Sequence, residues 1–181
     1  MRNPSDVDVQ QVSRPSSEVH QLIEFEEQAG VELGAAERLL LVTDGTVTHM
    51  LEALTREPVE VSIIERKEEH GVLDRQVRLE TTSGEVLLWA RSEIELKHLP
   101  ELVRTNLVNG DIGIGRALRN AGIDTRREIG SFDFIPADHQ QFPSFVSDQQ
   151  NLIKRTYRVH TSGTRVMTIT EYFSRRHSWC R

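Results

Sequence analysis

The sequence predicts an α+β fold: a single domain with an antiparallel β-sheet of about six strands and helices beside the sheet. Strand-like runs occur in clusters with helical segments between them, rather than in strict alternation with helices, which favours an antiparallel sheet. Two pairs of runs meet at the tight turns Ser83-Gly84 and Ser162-Gly163, which are typical of hairpins. With 181 residues, the chain fits one domain and is long enough to bury a core and a small ligand cavity.

Three helices are predicted in the first third of the chain. They follow residues 1–17, which show no helical or strand period and are expected to form a flexible N-terminal arm. Serine is a favourable residue for starting a helix, and the turn sequence Thr43-Asp44-Gly45-Thr46 separates the second helix from the third. The predicted helices are Ser17 to Gly30, Ala35 to Val42, and Asp44 or Thr46 to Leu54.

The remaining elements are mostly strands rich in valine and isoleucine, interrupted by two helices. The predicted strands are Val59 to Lys67, Leu73 to Thr82, Val86 to Leu96, Arg126 to Phe134, and a final hairpin from Leu152 to Phe173. The two helices are Leu99 to Leu107 and Arg116 to Ala121. Residues 135–151 contain two prolines and are expected to be a long exposed connection or lid. The domain is therefore predicted to span residues 18–174, with a basic tail at 175–181.

Composition excludes several classes of protein. Hydrophobic residues make up 37% of the chain and charged residues 28%, which is globular, and a net charge of −6 argues against a general binder of nucleic acids or membrane surfaces. An anionic ligand would therefore need locally placed arginines. Cys180 is the only cysteine, so a disulfide framework is impossible, and no apolar run approaches a membrane span. A soluble cytoplasmic protein is expected.

Two familiar kinds of site are not supported by the motifs. Gly113 and Gly115 lack the third glycine or the Gly-Lys-Ser/Thr ending of a nucleotide loop, although a helix beginning there could offer N–H groups to a small carboxylate. The seven histidines are scattered without the spacing of metal ligands, so no metal site is predicted.

Arg75 is the first residue whose position is unusual. Strand alternation places it on the same face as Leu73, Val77 and Leu79, which is otherwise apolar. The interpretation slightly favoured by the pattern is an edge-strand arginine whose long side chain reaches solvent. The alternative is a buried guanidinium that binds a ligand carboxylate through two hydrogen bonds.

Glu171 has the same character in the last strand, where it shares a face with Met167, Ile169 and Phe173. A buried carboxylate is costly unless it is paired or hydrogen-bonded. Arg75 and Glu171 could therefore neutralise each other. Alternatively, they lie at opposite ends of a cavity, one facing an anionic group and the other a hydroxyl or a proton.

Five segments in order resemble the chorismate lyase (chorismate pyruvate-lyase) family, in particular its shorter archaeal and actinobacterial branch. Each segment alone is weak, but their order and spacing from about residue 37 to residue 173 are fairly specific. They are LLLVTDGTVTHMLEAL (39–54), RQVRL with WARSEI (75–79 and 89–94), IGIGRAL (112–118), TRREI (125–129) and RTYRVHTSGTRVMTITEYF (155–173).

The resemblance implies a single α+β domain whose ligand cavity is enclosed under helical flaps. It also implies conversion of chorismate to 4-hydroxybenzoate and pyruvate without a cofactor. Carried over by motif, Arg75 binds the ring carboxylate and Glu171 lies near the 4-hydroxyl group, so these two are the expected catalytic residues. The expected substrate-binding residues are Val47 and Ile114 through their backbone, with Gly115 and Arg127.

This sequence differs from the best-known branch of the family in four places: Val47 replaces a methionine, Ile114 a leucine and Ala90 a glycine, and the proline-rich segment before the last hairpin is longer. A backbone contact tolerates the first two changes. Because chorismate carries two carboxylates, local cations are required, and arginines in the matched segments can supply them. Among these are Arg75, Arg91, Arg126, Arg127 and Arg155.

The expected partners are chorismate and its product 4-hydroxybenzoate, with no nucleic acid and no membrane insertion. A monomer is expected, with a dimer as the alternative. Two other functions stay open at the level of sequence. One is a non-catalytic sensor of aromatic acids with the same architecture, as in the effector-binding modules of some bacterial regulators. The other is a structural domain in which Arg75 and Glu171 pair and no cavity exists.

Overall fold

A computed structural model describes residues 16–136, 142 and 151–174. Most of the predicted arm, most of the predicted lid and the basic tail lie outside the described residues. The α-helices of the described part are α1 (Ser17–Ala29), α2 (Ala35–Val42), α3 (Val47–Thr55), α4 (Glu101–Asn109) and α5 (Ile114–Asn120). The strands are β1 (Val59–Glu69), β2 (Val72–Thr81), β3 (Val86–Glu95), β4 (Arg126–Pro136), β5 (Asn151–Thr161) and β6 (Thr164–Ser174).

The six strands form one antiparallel sheet in the order β1-β2-β3-β6-β5-β4, so the predicted fold class is confirmed. Strands β1 to β3 form one meander, β4 to β6 form another, and the two meet where β3 pairs with β6. At the tip of the β5–β6 hairpin, Ser162 and Gly163 both have positive φ angles, as a two-residue type I′ turn requires. Strands β1 and β4 are the edges, whereas β2 is interior.

Sequence reasoning located these elements with small shifts at their ends. Helix α1 begins at Ser17 with Ser16 at the cap position, one residue before the predicted cap. Helix α4 begins only after Pro100, and Leu96 starts a short 3-10 turn (Leu96–His98) instead of ending the third strand. Helix α5 begins at Ile114, two residues earlier than predicted, because Gly113 takes the cap position. The last shift matters because it places the glycine turn at a helix start.

One face of the sheet packs against the helices through two large apolar clusters, and a smaller cluster around Trp89 and Leu152 lies on the other face. Towards one end, α1, α2 and α3 pack on apolar side chains of β2, β3, β5 and β6, including Leu79, Leu88, Ile153 and Phe173. Towards the other end, α4 and α5 pack on Leu73, Ile94, Val159 and Met167. These are two separate clusters on one face, and the residues between them include the buried polar groups.

Those intervening residues form two rows that run across the sheet on the same face. The first row is Arg75, Ser92, Ile169 and Tyr157, and the second is Val77, Ala90, Glu171 and Arg155. Arginine, serine, tyrosine and glutamate therefore share a strip between two apolar clusters. In the described part of the chain, no helix is long and apolar enough to cross a membrane.

Candidate functional site

A cavity of about 250 Å³ lies over this strip, between the sheet and the starts of two helices. Its floor comes from β2, β3, β5 and β6, and its walls from the segment 44–48 at the start of α3 and from Gly113, Ile114 and Gly115 at the start of α5. Ligand sites in proteins usually measure roughly 300–1,000 Å³, so this cavity suits a small molecule. The structural domain without a cavity, left open by the sequence, is excluded.

Arg75 lies in the floor of the cavity with only 1% of its surface exposed. The slightly favoured expectation that its side chain reaches solvent from an edge strand is wrong, because β2 lies between β1 and β3. Its Nη2 donates to the carbonyl oxygen of Ile112, 2.7 Å away, just before α5. Its Nε is buried and has no hydrogen-bond partner among the described residues.

The electrostatic setting of Arg75 is that of a cation without a counter-ion. Burial, and secondarily the positive charge of Arg66, lower the pKa of Arg75 from its ordinary value to about 10, and Asp111 only partly opposes this. In the described part of the chain, no carboxylate lies within salt-bridge distance of its guanidinium. A buried, incompletely bonded guanidinium at a cavity is suited to bind an anion from outside the protein.

Glu171 also faces the cavity and is 5% exposed, but both of its carboxylate oxygens already accept hydrogen bonds from the protein. Its Oε2 accepts hydrogen bonds from both Nε and Nη2 of Arg155, the former at 3.0 Å. Its Oε1 accepts from the hydroxyl of Tyr157 at 2.9 Å. Burial, followed by the charge of Glu171, raises the pKa of Tyr157, so this hydroxyl keeps its proton and acts as a donor.

Arg155 joins this carboxylate to the helical layer. Its Nη1 donates to the carbonyl oxygens of Leu40 and Leu41 at 2.7 and 2.8 Å, which lie in the last turn of α2. A cation there is favoured by the partial negative charge of a helix C-terminus. Glu171 is therefore held in one position by a residue that is itself fixed to α2.

The expectation that Arg75 and Glu171 neutralise each other is wrong. They lie two strands and one row apart, so their Cα atoms are separated by about 12 Å in a regular sheet. Arg155 lies directly opposite Glu171, where Cβ atoms are only about 5 Å apart. The neighbouring arginine takes the carboxylate, and Arg75 is left for a ligand.

The other predicted site residues also line the cavity. Val47 is the first residue of α3, and Ile114 and Gly115 are the first two residues of α5, so their backbone N–H groups belong to the unsatisfied first turn of a helix. Arg127 reaches in from the edge strand β4 and donates to the carbonyl oxygen of Gly45. The structure thus brings all six predicted site residues to one cavity.

Of the five arginines named above, Arg155 holds Glu171 without lining the cavity itself, and two others do not reach it. Arg91 points to the opposite face of the sheet, where it pairs with Asp74. Arg126 is exposed and pairs with Glu128 at 3.2 Å. Strand alternation accounts for both, because each is adjacent in sequence to a residue that faces inward.

Sequence reasoning missed the roles of Arg155 and Tyr157, which hold Glu171. A signal was present, since Arg155, Tyr157 and Val159 alternate on one face of a strand joined by a hairpin to the strand of Glu171. As for metals, the described residues contain no group of three or more His, Cys, Asp or Glu side chains able to hold an ion.

A family model described as chorismate pyruvate-lyase Rv2949c-like matches residues 41–181. This match covers α3, both meanders and therefore the whole cavity. The chain belongs to the Rv2949c-like chorismate pyruvate-lyase family. Among curated relatives, MJ0807 of Methanocaldococcus jannaschii, which is named as a lyase, is 32% identical over 143 residues, covering 76% of this chain and 77% of that protein.

A second relative extends the family to actinobacteria. The chorismate pyruvate-lyase of Mycobacterium tuberculosis is 26% identical over 161 residues, which covers 76% of this chain and 79% of that protein. The archaeal and actinobacterial members are those of the branch that the motifs resembled. All the residues that line the cavity of this chain lie within the range that the family model matches.

Solved structures show the same fold at low sequence identity. PhnF from Mycobacterium smegmatis superposes with a TM-score of 0.60 at 12% identity, over 84% of this chain and 85% of that one. A ligand-binding domain from Bordetella bronchiseptica, assigned to the GntR family of transcriptional regulators, gives a TM-score of 0.52 at 12% identity, over 66% and 87%. These likenesses establish the lyase-like α+β fold and nothing about chemistry.

Proposed function

We propose that this protein is a chorismate pyruvate-lyase, which eliminates pyruvate from chorismate to give 4-hydroxybenzoate. The observation that carries the proposal is that one charged side chain at the cavity lacks a partner and the other does not. Arg75 is buried and lacks a carboxylate partner among the described residues, whereas Glu171 is fully bonded by Arg155 and Tyr157. Such a cavity offers one cationic end and one fixed hydrogen-bond acceptor to a small anionic ligand.

In the proposed complex, the ring carboxylate of chorismate lies against Arg75, and the backbone N–H groups of Val47 and Ile114 contact it. Gly115 lets the backbone approach the ligand closely because it has no side chain. Glu171 accepts a hydrogen bond from the hydroxyl at C4. The membership of the Rv2949c-like family and the position of each residue at one cavity support this orientation.

The reaction requires cleavage of one bond and movement of one proton. The ether bond between ring C3 and the enolpyruvyl oxygen breaks, C4 loses its proton, and the ring becomes aromatic. The departing enolpyruvate takes up a proton at its methylene carbon and becomes pyruvate. The protein contributes mainly by holding the reactive conformer and by stabilising negative charge on the departing group.

We further propose that no cofactor is needed, because loss of the side chain is driven by aromatisation. The proposed partners are the substrate chorismate and the product 4-hydroxybenzoate, and the protein is proposed to act as a cytoplasmic monomer. The cytoplasmic location is supported by the single cysteine, whose free thiol fits a reducing compartment.

The direct test is to incubate the purified protein with chorismate and to measure 4-hydroxybenzoate and pyruvate. Equal amounts of both products are expected. The variant Arg75→Ala should raise the KM for chorismate roughly ten- to hundredfold, because hydrogen bonds to charged groups contribute about 1.5–3 kcal/mol. Folded wild-type protein that forms neither product would rule out the lyase.

Arg91→Ala is the matched control. Arg91 lies on the strand next to that of Arg75, but its side chain is on the opposite face of the sheet, away from the cavity. The kinetic constants of this variant should equal those of the wild type. If Arg75→Ala behaved like this control, Arg75 would not be the carboxylate ligand.

A second candidate function, binding of an aromatic acid without turnover, is favoured by one observation. The fold is shared with a ligand-binding domain of a transcriptional regulator, and the cavity is present in this chain. Calorimetric binding of 4-hydroxybenzoate that depends on Arg75, combined with no consumption of chorismate, would select this function instead.

A further inference from the structure

The proposed complex leaves a second cation at the cavity, Arg127, without an assigned group of the substrate. Arg127 lines the cavity from β4, and its Nε is buried without a hydrogen-bond partner in the described ranges. Its Nη1 donates to the carbonyl oxygen of Gly45, and its guanidinium lies 5.4 Å from the centre of the Tyr157 ring. Within residues 16–136, 142 and 151–174, no carboxylate pairs with it. Arg127 therefore resembles Arg75 in having donors left for a ligand.

The two arginines approach the cavity from different sides. Arg75 is on β2, and Arg127 is on β4, which is four strands away in the sheet order. Glu171, on β6, lies between these strands. A single carboxylate bound by Arg75 would therefore leave Arg127 unneutralised on the far side of the cavity.

Other cations near the cavity are already engaged. Arg155 uses its donors on Glu171 and on carbonyl oxygens of α2. Arg119 is more exposed and contacts the hydroxyl of Thr46 at 3.1 Å and the ring of His49 at 3.2 Å. Arg127 is thus the cation with buried, unused donor capacity opposite Arg75.

Resting on the proposed lyase function, the geometry points to Arg127 as the residue that binds the second carboxylate of the substrate, the one on the enolpyruvyl side chain. The reaction divides a dianion into two monoanions. Arg75 would keep the aromatic carboxylate, and Arg127 would keep the carboxylate of the departing pyruvate. Because negative charge develops on the departing enolpyruvate, a cation on that side also favours bond cleavage.

The test separates the two ends of the substrate by comparing a dianion with a monoanion. Kinetic constants for chorismate and the inhibition constant of 4-hydroxybenzoate would be measured for Arg127→Gln and Arg75→Gln. Arg127→Gln should lower kcat/KM for chorismate roughly ten- to hundredfold and leave the inhibition constant of 4-hydroxybenzoate within about twofold. Arg75→Gln should weaken both.

Two further variants exclude a purely structural effect. Arg126→Gln removes the neighbouring exposed arginine of β4 and should leave both constants unchanged. Arg127→Lys keeps the positive charge and should recover part of the loss in kcat/KM. Unchanged 4-hydroxybenzoate binding in Arg127→Gln also reports that the other end of the cavity is intact.

The outcomes distinguish this inference from the proposed function. If the wild type does not convert chorismate, the lyase proposal and the inference both fail. If the wild type converts chorismate but Arg127→Gln matches Arg126→Gln, only the inference fails. The inference is also overturned if Arg127→Gln weakens 4-hydroxybenzoate as strongly as chorismate, because Arg127 would then act at the aromatic end or only on the fold.

Discussion

Two arginines of this protein are equally buried but differ in how many hydrogen bonds their guanidinium groups make. Arg75 and Arg155 are each 1% exposed, yet Arg155 donates to Glu171 and to α2, whereas Arg75 has one hydrogen bond to a carbonyl oxygen in the described structure. Because burial lowers the pKa of Arg75 to about 10, the folded protein binds the proton of the charged guanidinium less tightly than the unfolded chain does. At neutral pH the charge therefore costs stability in the empty protein.

Replacing this cation by an apolar side chain of similar length should stabilise the empty protein. For Arg75→Met we expect the free energy of unfolding to rise by about 1–3 kcal/mol, since apolar replacement of buried charges is often stabilising by this amount. The same variant should lose binding of 4-hydroxybenzoate. Urea denaturation without ligand and calorimetric titration with ligand measure the two effects.

Arg155→Met is the control, because Arg155 is as buried as Arg75, and it should change the free energy of unfolding in the opposite direction. It leaves Glu171 buried beside Tyr157 without its cation, which is expected to lower the free energy of unfolding by about 3–5 kcal/mol. If both variants destabilised the protein equally, Arg75 would have a partner in the empty protein and would not be held for a ligand.

At the level of elements, a β-bulge decides which residue of β5 lies opposite Glu171. The hairpin pairs Thr161 with Thr164, but Val159 pairs with Met167, so Val166 is an extra residue in β6. Without this extra residue the regular register would place Arg155 opposite Thr170. Alternation along each strand placed Arg75 and Glu171 on an apolar face, and it also gave Arg155 and Tyr157 a common face. A bulge has no reliable sequence signal, so the register that sets Arg155 opposite Glu171 did not follow from alternation.

The starts of α3 and α5 meet at Gly115, which makes this contact a second test at the same scale. A Cβ atom at Gly115 would lie 3.3 Å from Cγ2 and from Oγ1 of Thr46, which is tighter than most Cβ contacts. Both helix starts wall the cavity. Gly115→Ala should therefore move them apart and raise the KM for chorismate by a few-fold, about 1 kcal/mol of lost binding.

A second substitution separates this steric effect from a general loss of stability. Thr46→Ala removes both contacting atoms, so the KM of the double variant should return most of the way from the raised value of Gly115→Ala to that of the wild type. Steady-state kinetics of the four proteins give the coupling between the two sites. Additive effects in this cycle would mean that the contact between the helix starts does not shape the cavity.

On the scale of the whole molecule, the cavity arises because two apolar clusters cover the two ends of one sheet face. Sequence pattern predicted the strands, the helices and the antiparallel sheet, since each depends on local periodicity. It did not predict that β3 pairs with β6, nor that α2 supplies carbonyl oxygens to Arg155, because these contacts join segments more than 70 residues apart. The family resemblance, not the pattern, placed Val47 and Ile114 at the same site as Arg75.

The net charge of −6 gives a prediction that concerns the molecule rather than any one residue. A dianionic substrate is repelled by the chain as a whole and attracted by buried arginines at the cavity. Salt weakens the first interaction more than the second, because the Debye length falls from about 30 Å at 0.01 M to about 10 Å at 0.1 M and buried charges are screened less. Raising the salt concentration over this range should therefore increase kcat/KM for chorismate, by roughly two- to threefold.

Inhibition by the monoanion 4-hydroxybenzoate should change less, and the uncharged methyl ester of that acid, tested as a weak inhibitor, should not respond. A fall in kcat/KM over the same range would mean that local attraction by exposed arginines, rather than repulsion by the whole molecule, controls how the substrate arrives.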